Sequence, residues 1–112
     1  MQVRDSRHTQ VVTSLIVASG FYSRLRGLIG RAGLAAGEGL LLTPCRAVHT
    51  FGMRFPIDLL FIDHQGQVVA VIKNLKPNRY SGYFGAASAV LELAAGEADR
   101  YVIAVGDRLS VG

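Results

Sequence analysis

The segment that most constrains this chain is IDLLFID, residues 57–63. Along an extended backbone Ile57, Leu59 and Phe61 fall on one side, and Leu60 and Ile62 on the other. A strand that is apolar on both faces must be covered on both, so this one predicts a layered, mainly β core. At 112 residues the chain forms one domain spanning 1–112, with no room for a second core. Hydrophobic residues make up 50% and charged residues 18%, which excludes a disordered chain. Thirteen glycines and only three prolines suit many short elements joined by tight turns.

Other elements follow from local pattern. The β-branched run VVTSLIVA (11–18) reads as a strand. FYSRLRGLIGR (21–31) places Leu25, Leu28 and Ile29 at helical spacing behind Ser23 as N-cap, predicting a short helix whose apolar side is buried. A strand is expected over 39–42, and Gln65-Gly66 is expected to turn the central strand into VVAVI (68–72). If that turn centres on Gln65-Gly66, opposed residue numbers sum to about 131, and Asp58 faces Lys73. LKPNRYSGYFG (75–85) reads as a long loop bearing Tyr80, Tyr83 and Phe84. AVLEL (89–93) alternates as a strand, 98–104 holds a helical turn, and 108–111 closes the fold. The expected architecture is a compact antiparallel sandwich, jelly-roll-like, or a partly open barrel, with six to eight strands and one or two short helices.

Chemistry concentrates in CRAVHTFGMRFPID (45–58), which holds the only cysteine. On a helix Cys45 and His49 would lie about 6 Å apart. On a strand they share a face but are separated by roughly 13 Å, too far for a nucleophile and its base. Val48, Thr50 and Phe51 favour the extended form, so Cys45 is expected to be buried and inert. One cysteine forms no intramolecular disulfide, and Cys45 and His49 lack the paired spacing of a metal site. No phosphate loop is present, so neither metal nor cofactor is expected.

Asp58 is different. It shares a face with Leu60 and Ile62, where a carboxylate costs several kcal/mol unless paired or hydrogen-bonded. Arg54 is the expected bidentate partner, Lys73 the cross-strand alternative, and His49 lies just upstream. Glu92 falls on the face of Val90 and Ala94, where a solvent-facing charge is the plain expectation. With Arg54 and Lys76, however, Asp58 and Glu92 would line one polar pocket for a small ligand.

Twelve Lys and Arg against eight Asp and Glu leave a net charge of +4. The basic residues form no dense run and no aromatic ladder interleaves with one, so nucleic acid is not an expected partner. The apolar run at 11–18 is too short for a membrane span or a signal core, and a cytoplasmic protein is expected.

HTFGMRFPIDLLFID, NLKP and AVLELAAG, with LRGLIGR upstream and VGDRL at the end, resemble the domain of unknown function 192 family over residues 21–109. The resemblance implies a small, mainly β fold of the sandwich or jelly-roll kind, widespread in bacteria and archaea, with no established activity. Met53, the basic Arg54, Asp58, Phe61 and Glu92 match the family pattern; His49 is often absent from it, which implies that Cys45 and His49 are local variants.

Two classes of function follow. The first is a non-catalytic binding or interaction module for a small anionic ligand or peptide, with Arg54, Asp58, Lys76, Glu92 and His49 as candidate contacts. The second is an enzyme using Asp58 and Glu92 as an acid–base pair, or Cys45 as nucleophile. Tyr80, Tyr83 and Phe84 also offer a partner-binding surface.

Overall fold

The computed structural model describes residues 1–18 and 33–112. The helix expected over 21–31, with Leu25, Leu28 and Ile29, lies outside the described residues. The elements are β1 (Val3–Arg4), β2 (Gln10–Val12), β3 (Ser14–Ala18), β4 (Glu38–Leu42), β5 (Ile57–Ile62), β6 (Val68–Leu75), β7 (Ala89–Ala94), α1 (Glu97–Arg100) and β8 (Ser110–Val111). They build a three-stranded sheet, ordered β2-β1-β8, and a five-stranded sheet, ordered β3-β4-β7-β5-β6. The fold is mainly β, a sandwich of two open sheets with one short helix among the described residues.

All six residues of β5 are buried, as its apolar faces demand. On one side Leu60, Leu91 and Leu93 pack against Val3, Val11 and Val12 of the small sheet, with Leu109 and Ile103. On the other, Ile57, Leu59, Phe61 and Val90 lie beneath Val48, Met53 and Ala87. Each large side chain so enclosed contributes about 1.5–3 kcal/mol of transfer free energy.

The β5–β6 hairpin shows how far local pattern reaches. Leu59↔Ile72, Leu60↔Val71 and Phe61↔Ala70 keep the expected register. At either end the pairing shifts, to Ile57↔Leu75 and Ile62↔Val68, because β6 carries an extra residue at each bulge. The bulge opposite Asp58 contains Lys73 and Asn74, and Asn74 adopts φ 54°. At the turn, Gly66 has φ 80°, and a Cβ there would lie 2.4 Å from the Leu109 carbonyl oxygen. Only glycine fits this turn against the closing segment.

Two expectations need correction. The run 11–18 is two strands, not one: it breaks at Thr13, with β2 in the small sheet and β3 in the large one. The Thr13 and Ser14 amides both donate to the Gly37 carbonyl, at 2.8 and 3.1 Å, which redirects the chain between layers. In addition, β3 and β4 are parallel, so the large sheet is not purely antiparallel. β1, hidden in the polar start MQVRDSRHTQ, takes only two residues and lies between β2 and β8. No helix among the described residues is long and apolar enough to cross a membrane.

Candidate functional site

Asp58 is 1% exposed, yet no cation among the described residues pairs with it. Its Oδ1 accepts the Asn74 amide at 2.9 Å, and its Oδ2 accepts the amides of Gly96 at 3.1 Å and Ala98 at 2.9 Å. The expected pair with Arg54 or Lys73 is therefore not formed. Arg54 is exposed, and Lys73 reaches Asp99 at 2.6 Å. That hydrogen bond and the Asp99 charge hold the Lys73 ammonium above its usual range, with a weaker pull from Asp58. The geometry has a local cause. The bulge turns the Asn74 amide inward, and α1 opens at Gly96, which has no side chain with which to cap it. Asp58 supplies the missing cap from β5, its charge matched to the amide end of the helix.

At its other end α1 closes in a Schellman arrangement. Ile103 donates to the Ala98 carbonyl and Val102 to that of Asp99, at 2.9 and 3.1 Å. Val102 occupies the left-handed position at φ 54°, where glycine is usual.

Glu92 is also buried, not solvent-facing: it is 3% exposed and lies between Leu40 of β4 and Leu59 of β5. Its Oε2 has no hydrogen-bond partner among the described residues. Burial pushes its carboxyl up to about 7. The β5–β7 pairing is regular, so Asp58 shares a face with Leu60 and Leu93, while Glu92 shares the opposite face with Val90 and Leu59. The two carboxylates stand on opposite faces of the sheet and line no common pocket.

The opening motif takes a shape of its own. Residues 43–48 form no strand; Cys45 is half-buried, and its thiol donates to the Ala47 carbonyl at 3.1 Å. Its partial exposure corrects the expectation of a buried thiol. His49 points outward, opposite Tyr80 in an isolated antiparallel bridge, and does not fold back on Asp58.

Around that bridge the segments 44–56 and 76–88 zip into an irregular ribbon. Thr50 donates to the Arg79 carbonyl at 2.9 Å, Ser81 to that of Val48 at 2.8 Å, and Phe84 to that of Arg46 at 2.9 Å. The buried Thr50 hydroxyl fastens the two segments, donating to the Lys76 carbonyl at 2.6 Å and accepting the Arg79 amide at 2.9 Å. Val48 and Thr50 point in; His49 and Phe51 point out.

The ribbon carries Arg46, Arg54, Lys76 and Arg79 and not one acidic residue. The rest of the chain balances, eight basic against eight acidic, so the whole net charge of +4 resides here. None of these four cations makes an ion pair among the described residues. Phe51, Tyr80 and Tyr83 are 52%, 61% and 68% exposed beside them. Arg54, Lys76 and His49 thus lie on one feature, which excludes Asp58 and Glu92. Arg46, Arg79 and Phe51 are not among the contacts expected from the sequence. Their signal was the lack of any acid between Glu38 and Asp58 or between Asp63 and Glu92. No group of three or more His, Cys, Asp or Glu among the described residues is placed to hold a metal ion.

Comparison with known proteins agrees with the architecture. A family model described as an uncharacterized ACR matches residues 2–111, wider than the 21–109 read from the motifs. A crystal structure of a protein of unknown function from Novosphingobium aromaticivorans superposes with a TM-score of 0.85 at 23% identity, covering 98% of this chain and 82% of that one. A candidate transcription regulator from Sinorhizobium meliloti gives 0.82 at 24% identity, covering 97% and 89%. At such identities the likeness is one of fold. No curated protein sequence matches.

Proposed function

Since this chain belongs to the DUF192 family, which brings no activity with it, function has to be argued from the surface, and we propose a non-catalytic binding module whose ribbon holds a small anionic molecule or an anionic peptide. The observation that carries this reading is the charge partition: the entire net charge of +4 sits on one ribbon without a single carboxylate. Arg54 and Lys76 take the anion, with Arg46 and Arg79 beside them. His49, Phe51 and Tyr80 provide apolar contact. Cations without an ion pair among the described residues favour anion capture, because no such pair must be broken first. Asp58 and Glu92 serve the scaffold.

The alternative is an enzyme in which Asp58 and Glu92 act as acid and base. In its favour stands Glu92, whose carboxyl at about 7 is matched to proton transfer near neutrality. Against it stand the opposite faces of the two carboxylates and the three amides that occupy Asp58. As for Cys45, its thiol donates to the Ala47 carbonyl and His49 faces solvent, so these two do not form a nucleophile–base dyad.

Thermal denaturation at low salt tests the proposal, with a Glu-rich peptide and citrate as probes. A bound anion stabilises the folded state by mass action and raises the melting temperature. The rise should vanish in the Arg54→Ala, Lys76→Ala double variant and fade with added salt. A melting temperature unmoved by either probe refutes capture of small anions and acidic peptides by the ribbon.

A further inference from the structure

The ribbon does more than gather charge. His49 and Phe51 place their ring centroids 5.4 Å apart, and Tyr80 stands directly across from His49. Three rings therefore form one outward platform, and Tyr83 follows on the Tyr80 segment. Lys76 and Arg79 precede Tyr80 on one segment; Arg46 and Arg54 bracket His49 and Phe51 on the other. No sequence window shows this interleaving, because each segment contributes only two Lys or Arg.

Two properties narrow the partner. The rings protrude, at 52% and 61% exposure for Phe51 and Tyr80, whereas a small ligand is held in a concavity that encloses most of its surface. The backbone amides of Thr50, Ser81 and Phe84 are spent within the ribbon, and the groups it exposes include the rings of Phe51 and Tyr80 and the four cations. The fitting partner is a flexible chain with a flat π-face and a negative charge in every repeat. An acidic peptide repeats the charge but not the face. A duplex has both but keeps its bases stacked on one another.

Resting on the reading of the ribbon as the anion site, we propose that it is a platform for single-stranded nucleic acid. Bases stack on Phe51, His49 and Tyr80, and phosphates meet Arg46, Arg54, Lys76 and Arg79. Binding is sequence-tolerant, because every base has a π-face.

The test is fluorescence anisotropy at ~50 mM salt with labelled oligothymidylate, a duplex of equal length and a labelled polyglutamate peptide. The single strand should bind about tenfold or more tighter than the duplex, and Tyr80→Ala and Phe51→Ala should each weaken it by about tenfold. The plot of log affinity against log salt should slope at roughly −2 to −3, and Arg54→Ala or Lys76→Ala should each flatten it by about 0.7. Oligouridylate, run in parallel, tells whether RNA or DNA is preferred. Both ring variants remove exposed side chains, and unchanged melting curves will show them folded. Equal affinity for duplex and single strand, or a Tyr80→Ala variant that binds as the parent does, overturns the inference. Binding of polyglutamate without the oligonucleotide overturns it too but leaves the anionic module standing. Binding of neither probe removes both.

Discussion

Asp58 and Glu92 are carboxylates on neighbouring strands of one sheet, both nearly inaccessible, and the two faces of that sheet treat them differently. On the Asp58 face, three backbone amides converge on the charge. On the Glu92 face, one oxygen has no partner among the described residues and burial alone moves the carboxyl to about 7. Burial depth is therefore a poor guide to the cost of a buried acid. What decides is whether the fold has amides to spare: a bulge and a helix start do, and the middle of a regular ladder does not. On one face the acid holds the fold together; on the other it burdens it.

The largest test of this contrast is Asp58→Ala, which strips three backbone amides, that of Ala98 fully buried, of their acceptor and should cost about 3–5 kcal/mol in chemical denaturation. Asp58→Asn should cost nearly as much, because half of its head group becomes a donor facing donors. An Asn variant as stable as the parent would mean that the amides do not hold the carboxylate.

Glu92 should show the opposite sign. Its folded carboxyl titrates near 7 and its unfolded one near the ordinary 4.5, so between those values the folded state binds more protons. Stability contributed by this group is complete below about 4.5, falls as pH rises, and is gone above about 7, a loss on the order of 3 kcal/mol. Glu92→Gln should remove that pH dependence and raise stability at pH 8 by about 2–3 kcal/mol, with little change at pH 4. Parallel stability–pH curves for the two proteins would show that Glu92 is not burdened.

A smaller effect sharpens the Asp58 side. The helix that Asp58 caps ends at Val102, a β-branched residue at φ 54° and 69% exposed. Val102→Gly relieves about 1–2 kcal/mol of left-handed strain and gives back part through a freer unfolded chain, a net gain of about 0.5–1 kcal/mol. A loss of stability would show that the valine side chain contributes more than its backbone costs. The smallest effect belongs to Lys73→Ala. Its bond to Asp99 joins two exposed groups, and the denaturation midpoint should not move. A large loss would return Lys73 to the role of counter-ion for Asp58.

From the sequence alone came the layered β class, a fully buried β5, the centre of the β5–β6 register and the need of Asp58 for compensation. All are properties of consecutive residues: alternation, apolarity and a turn at Gln65-Gly66. Tertiary structure decided the rest. It set β7 between β4 and β5, divided the 11–18 run between two sheets and laid β3 parallel to β4. It met the charge of Asp58 with amides 16, 38 and 40 residues away, where the sequence offered Arg54 and Lys73. It turned Glu92 into a core face and drew two unremarkable segments together at His49 and Tyr80, concentrating charge and rings that neither segment displays by itself. A pattern along the chain tells which side chains must leave water; the hydrogen-bond donors and charges that meet them there come from distant segments, which only the folded chain brings within reach.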